Sequence, residues 1–258
     1  MSLIKTPAEI ASLHEGGEIL SRILRELRSL CVAGAKTDEL DAIARRRMAE
    51  AHARPSFLGY RMGRGPAFPG AVCISVNEEV VHGLPMPRRT IKNGDVVGLD
   101  IGLWYKDLAT DMATTVIVGK VGTKEQNLVS DTRQSLLEGL RAVRAGHYVS
   151  DISAAIEDYL KPMSYGIVKD LVGHGVGHAT HEEPQIPNYR EPNAPDVLLK
   201  KGMVLAIEPM VTLGTWRVKG LSDGWTIVTA DGSLSAHFEV TIAVTESGYD
   251  LITPWPDV

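Results

Sequence analysis

The sequence predicts a mixed α/β (α+β) fold in which one pattern is written twice. Stretches with apolar residues at three- and four-residue steps alternate with β-branched runs, as helices alternating with strands would. The order helix, helix, strand with a histidine, acid-bearing strand, acid-led strand runs through about residues 6–120 and again through about 124–250. Carboxylates stand at matching places inside the apolar strands of both halves, where an unpaired charge is costly. Residues 1–258 are read as a single domain containing this repeat.

In the first half, Thr6-Pro7-Ala8-Glu9 is a helix start, with Thr6 as N-cap, Pro7 in the first turn and Glu9 completing a capping box. Ile10, Leu13, Leu20, Ile23, Leu24, Leu27 and Leu30 mark its apolar face, and Gly34 is expected to end it. Thr37 opens a second helix carrying Leu40, Ile43, Ala44 and Met48. Residues 54–70 read as loop, and a single strand follows in AVCISVNEEVVHGLP, ending at His82-Gly83. A hairpin follows, Val96 to Trp104 and Ala109 to Val118, turning near Lys106-Asp107. Val97, Leu99, Ile101 and Leu103 share one strand face. On the other, Asp100 sits between Gly98 and Gly102, and Asp111 lies two residues from both Ala109 and Ala113. Because Asp100 and Asp111 differ in parity, a common face needs an odd register or a bulge; an irregularity is expected near the turn or in the strand after it.

The second half repeats the plan. Residues 124–145 read as a helix closed by Gly146, and Ser150 caps another reaching about Leu160. The segment LVGHGVGHATHEEP follows, then the strand-rich runs MVLAIEPMVTLG, WTIVTADG and SLSAHFEVTIAVT. Ile91-Lys92-Asn93-Gly94 before Asp100 matches Leu199-Lys200-Lys201-Gly202 before Glu208, each acid six residues past its glycine. Asp111 and Glu239 each lead a later strand, and His82 and His181 each precede a loop. Duplicated halves packing about a pseudo-twofold axis would bring Asp100, Asp111, Glu208 and Glu239 together. His174, between Gly173 and Gly175, breaks the symmetry, since its approximate counterpart is Ser75.

The remaining composition narrows the setting. A net charge of −5 gives no reason to expect nucleic acid or anionic membrane as a partner. Two cysteines, Cys31 and Cys73, exclude a disulfide framework or a thiolate zinc site and fit a reducing compartment. No signal peptide or bilayer-length apolar run is read, so the cytoplasm is expected. Four acids and one imidazole form a hard donor set suited to Mn, Fe, Co or Zn as divalent ions. Four negative charges call for two ions, about 3.5–4 Å apart, which suits metal-assisted hydrolysis. His82 and His181 would then be free to hydrogen-bond a substrate carbonyl, the tetrahedral intermediate or the leaving nitrogen.

The segments IKTPAEI, AVCISVNEEVVHG, GDVVGLD with Asp111 eleven residues on, GHGVGHATHEEP, VLAIEPM, DGWTIVT and SLSAHFEVTIAVT resemble type I methionine aminopeptidases over nearly the whole chain. The resemblance implies a pita-bread fold, a curved antiparallel sheet covered by helices. It implies removal of the initiator methionine from nascent polypeptides with a small second residue, by attack of a hydroxide bridging two metal ions. Asp100 would bind one metal through both oxygens, Asp111 and Glu239 would bridge, and His174 and Glu208 would hold the other. Glu208 would also shuttle protons, and His82 and His181 would contact substrate. Tyr60, Phe68, Cys73 and Trp225 fall where relatives line the methionine pocket. Thr180, Gly102, Val81 and Val240 depart from residues common in the family, Thr180 offering a wider pocket wall. A monomer working near the ribosome is implied. Rival readings are a proline-directed aminopeptidase of the same fold, whose members usually carry a large preceding domain, and a non-catalytic binding protein that keeps the fold.

Overall fold

Thr6 and Glu9 start helix α1 (Pro7–Leu30) as the cap chemistry dictates: the Thr6 hydroxyl accepts the Glu9 N–H, and the Glu9 carboxylate accepts the Thr6 N–H. The structure, a computed structural model, describes residues 2–63, 65–192 and 196–255. Helix α1 stops at Leu30, before Gly34, because the Gly34 N–H has left the helix to donate to the Ile91 carbonyl. Helix α2 spans Thr37–Glu50. The first half continues through β1 (Arg54–Pro55), β2 (Val72–Val76), β3 (Glu79–Val81), β4 (Val96–Tyr105) and β5 (Leu108–Ile117). The run expected as one strand before His82 is two, β2 and β3, because Asn77 adopts φ +61° and turns the chain.

Helices α3 (Thr123–Arg141) and α4 (Val149–Leu160) open the second half; Tyr148 rather than Ser150 is the N-cap of α4, its N–H donating to the Asp151 carboxylate. Then come β6 (Gly166–Ile167), β7 (Gly173–Gly175), β8 (Glu182–Ile186), β9 (Val204–Ile207), β10 (Met210–Thr212), β11 (Val218–Gly220), β12 (Ile227–Thr229), β13 (Ser235–His237), β14 (Glu239–Val244) and β15 (Tyr249–Leu251). Breaks at Glu208-Pro209 and at Phe238 divide runs expected as continuous.

The halves use the same backbone devices. Gly34 donates to Ile91 and Gly146 to Leu199; Gly94 donates to Val118 and Gly202 to Val244. All four glycines have φ between +86° and +95°, which a side chain would oppose. One antiparallel nine-stranded sheet joins the halves in the order β1-β4-β5-β14-β9-β7-β8, with β2 also on β4 and β15 also on β14. On one face Leu99, Ile101, Leu103 and Met112 pack with Leu20, Leu24, Leu27 and Met48 of α1 and α2. On the same side of the other half Leu205, Ile207, Val240 and Ile242 pack with Leu136, Leu140, Ile152 and Ile156 of α3 and α4.

The hairpin settles how Asp100 and Asp111 share the opposite face. Lys106 and Asp107, at φ +48° and +60°, form a two-residue turn that pairs Tyr105 with Leu108. Counting back, Gly102 faces Asp111 and Asp100 faces Ala113 in an unbroken ladder. Asp111 therefore lies across from the residue two places beyond Asp100, on the same face. The irregularity expected here is absent, because a two-residue turn already gives the odd register.

Helix α1 approaches the chain's last turns closely at Gly17, where an added Cβ would stand 1.9 Å from the Ile252 carbonyl oxygen. Gly17→Ala should cost about 1–3 kcal/mol or more in urea denaturation. Gly220→Ala, with open space around the site, should leave the midpoint nearly unchanged.

Candidate metal centre and cavity

The two halves meet where β5 and β14 pair through only two positions, Glu239 with Ala113 and Val240 with Met112. Since Asp100 also pairs with Ala113, and Cys73 with Asp100, the row Cys73, Asp100, Ala113, Glu239 crosses four strands on one face. Ile207 pairs with Val240, so Glu208 enters just past the ladder, beside Glu239. His174 pairs with Ala206, two residues before Glu208, as Ser75 pairs with Gly98, two residues before Asp100. The repeat thus places His174 and Ser75 at equivalent registers.

Beyond the two shared pairs, the strands separate and threonines take over. The Asp111 N–H donates to Thr241 Oγ1, which donates to the Asp111 carbonyl. On the other side the His237 N–H donates to Thr115 Oγ1, which donates to the His237 carbonyl. These two clamps fix the backbone at Asp111 and His237 and pair the N–H and C=O of both residues.

The side chains converge. His174 Nε2 lies 3.4 Å from Glu208 Oε1 and 4.0 Å from Glu239 Oε1. Donor atoms of Asp111, His174 and Glu239 all lie within 4.8 Å of one another, and so do those of Glu208, His237 and Glu239. Asp100, Asp111 and Glu239 are 8%, 2% and 2% exposed, yet Asp100 Oδ1, Asp111 Oδ1 and Glu239 Oε1 have no hydrogen-bond partner. Among the described residues, no Lys or Arg lines the cavity around them. Orphaned buried carboxylate oxygens without a cation are what a metal site looks like before its ion is counted, and this oxygen-rich, imidazole-bearing set fits a divalent metal.

Burial drives the electrostatics. It raises Asp111 and Glu239 well above the ordinary carboxylate range, with neighbouring acids adding to the effect, and raises Asp100 to about 7. Burial acts the same way on Glu208, but the imidazoles of His237, His174 and His181 outweigh it and hold that carboxyl below its ordinary value. His82 and His181 are lowered to about 4, mainly by burial, and are neutral at pH 7. Burial beside Asp100 and Asp111 keeps the Cys73 thiol protonated.

The carboxylates open into a cavity of about 310 Å³. All eleven sequence-predicted site residues line it: Tyr60, Phe68, Cys73, His82, Asp100, Asp111, His174, His181, Glu208, Trp225 and Glu239. Phe68 and Trp225 meet edge to face at 5.2 Å, and Tyr60 stands 6.4 Å from Trp225. The Tyr60 hydroxyl is 2.9 Å from His181 Nδ1, and the His181 ring is 4.5 Å from that of His174. His82, at φ +58° after β3, places its ring 6.1 Å from Trp225. Phe57, Met62 and His237 also line the cavity and are additions to the sequence reading. For His237 a signal existed: two residues before Glu239, it shares that residue's face if the strand runs on. Among the departures, Val81 lines the cavity, whereas Val240 belongs to the core under α3 and α4. Thr180 is buried and is not among the lining residues. A Cβ at Gly102 would meet Ser56 Oγ at 2.2 Å, so Ser56 fills the space a larger residue there would take.

The sequence profile of metallopeptidase family M24 matches residues 11–246. Methionine aminopeptidase 1 of Bacillus subtilis is 44% identical over 98% of this chain and 99% of its own length. The chain belongs to the methionine aminopeptidases of family M24. Methionine aminopeptidase from Thermotoga maritima superposes with a TM-score of 0.90, at 42% identity, over 97% of this chain and 98% of that one. The Xaa-Pro dipeptidase from Bacillus anthracis, at 24% identity and a TM-score of 0.78 over 98% of this chain and 63% of its own, shares the fold. The pita-bread architecture expected from the sequence is the one found. As a methionine aminopeptidase the chain is a metal-dependent hydrolase using divalent metal. Among the described residues no helix is long and apolar enough to cross a membrane.

The raised carboxylates make a stability prediction with a definite sign. A group that binds its proton more tightly when folded stabilises fully below its unfolded pKa and loses that contribution as pH rises through its folded value. For Asp100 the loss runs from about 3.8 to about 7. Metal-free protein should therefore melt lower at pH 8 than at pH 5, by on the order of a few kcal/mol in stability. Adding a divalent ion should remove most of the difference; a metal-free melting temperature that rises with pH would contradict this assignment of the shifts.

Proposed function

We propose that the chain removes the N-terminal methionine from nascent polypeptides and peptides whose second residue is small. The observation that carries the reading is the convergence of three buried carboxylates, a largely covered fourth and His174 at the floor of an apolar, aromatic cavity. Asp100, Asp111, His174, Glu208 and Glu239 would hold two divalent ions, with Asp111 and Glu239 shared between them and Co, Mn, Fe or Zn all compatible with the donors. When bound, such ions lower the pKa of water and polarise a carbonyl, which is the chemistry that peptide hydrolysis needs.

The chain's own residues supply the rest. Glu208, held ionised by three imidazoles, is suited to take a proton from the attacking water and return it to the leaving nitrogen. His82 and His181 are neutral and donate hydrogen bonds without charge. The Tyr60 hydroxyl lies 2.9 Å from His181 Nδ1, and in the tautomer where it donates there the His181 proton sits on Nε2, available to a substrate carbonyl or tetrahedral intermediate. Phe57, Tyr60, Phe68, Cys73 and Trp225 form a cluster suited to an unbranched thioether, since sulfur packs favourably against ring edges. The two halves together act as one catalytic domain, working as a monomer in the cytoplasm near the ribosome, with no nucleic-acid or membrane partner.

Metal-loaded protein should release methionine from Met-Ala-Ser and leave Ala-Pro-Ala intact, as read by chromatography of the products. Release of alanine from Ala-Pro-Ala with Met-Ala-Ser untouched would make the chain a proline-directed peptidase, and inertness toward both, a binding protein. Asp111→Ala and Glu239→Ala should each lower turnover by about 100-fold or more, since even second-layer partners of metal ligands cost 10–100-fold.

A further inference from the structure

The turn that carries His181 is gripped from the start of the chain. Lys5 Nζ donates to Glu182 Oε2 at 2.6 Å, with the two side chains only 1% and 8% exposed. The other oxygen, Glu182 Oε1, accepts the Ala179 N–H at 2.8 Å and closes the turn around His181. Gly177 opens this turn at φ +136°, and a Cβ there would stand 2.5 Å from Lys5 Cε. Nearby, His178 Nε2 lies 2.7 Å from Glu9 Oε1. Lys5 and Glu9 thus hold both flanks of His181 from 177 and 169 positions away in sequence.

The first half uses the same lock beside His82. Glu79 Oε2 accepts the Val76 N–H, again from three residues back, while Glu79 Oε1 accepts from Arg89 Nη1 at 2.6 Å. Arg89 Nη2 also donates to the carbonyls of Ile74 and Leu84, on either side of His82. Each histidine assigned to substrate therefore sits beside a glutamate lock held by a cation.

Lys5 is not needed to dock the N-terminus. Its own N–H donates to the Gly202 carbonyl, Ile4 pairs with Met203, and the Thr6–Glu9 cap starts α1. Nor does the ion pair add much stability, because withdrawing both charges from water offsets most of their attraction. What a buried pair tied at both ends can supply is orientation.

We propose that Lys5 is a positioning residue for the hydrolysis: through Glu182 it holds residues 177–182 and so aims the His181 ring at the substrate. This rests on the proposed contact of His181 with a substrate carbonyl or tetrahedral intermediate. A misplaced hydrogen-bond donor costs more in the transition state than in the bound substrate, so kcat falls while KM changes little.

With Met-Ala-Ser as substrate, zinc-loaded Lys5→Met should lose about tenfold or more in kcat, with KM within about twofold. Placed on His181→Ala, the same change should cost nothing further, because no ring remains to aim. A readout free of turnover is the His181 Cε1–Hε1 resonance, which should move in Lys5→Met while that of His82 stays in place. Unchanged kcat, a loss carried by KM alone, an equal loss in both backgrounds or an unmoved His181 resonance would overturn the proposal and leave the His181 contact standing. Full turnover in His181→Ala would overturn that contact, and the proposal with it. If Lys5→Met does not fold, Glu182→Gln, which keeps an oxygen for the Ala179 N–H but drops the charge paired with Lys5, is put through the same cycle with the same expected results.

Discussion

Three buried carboxylates on one face of a sheet, with Glu208 largely covered beside them and no lysine or arginine among the described residues lining their cavity, are the constraint on which the rest of the structure depends. Each would cost several kcal/mol to bury ionised and alone. The surrounding residues make sense as answers to that cost. Ala113, paired with both Asp100 and Glu239 at the centre of the row, puts only a methyl group between the acids. The threonine clamps at Asp111 and His237 let β5 and β14 separate around the site without stranding peptide groups. The helices stay on the far face, so the anions share no layer with the apolar core.

The same constraint governs the chemistry. A site that drives Asp111 and Glu239 toward the protonated state when empty must release those protons as a cation arrives, so its affinity for metal rises with pH. Glu208 differs because three imidazoles surround it, and it alone of the four stays below its ordinary pKa. Burial pushes His82 and His181 the other way, to neutral rings. Acid, base and hydrogen-bond donors are sorted by environment rather than by residue type.

What could be read from the sequence was what repeats. The acids six residues past Gly94 and Gly202 announce themselves because two unrelated errors would not coincide, and the structure shows the same glycine hydrogen bonds behind both. What could not be read was set by contacts between distant segments. Asn77 turning a strand, Phe238 bending another and the chain leaving α1 to reach Ile91 all depend on partners far along the chain. His237 was hidden for a related reason. Its parity with Glu239 was visible, but the Thr115 clamp that fixes it toward the site joins residues 122 positions apart.

The duplicated frame also explains how one face can both hold metal and recognise a side chain. Equivalent registers carry different residues: His174 stands where the first half has Ser75. The second half therefore offers a ligand at the register where the first offers only a small hydroxyl. Freed of that duty, the first half surrounds Cys73 with Phe57, Phe68 and Tyr60, and the second half contributes Trp225 to close the group. Symmetry supplies the carboxylates, and the substitutions that break it decide which end of the site faces the metal and which faces an apolar side chain.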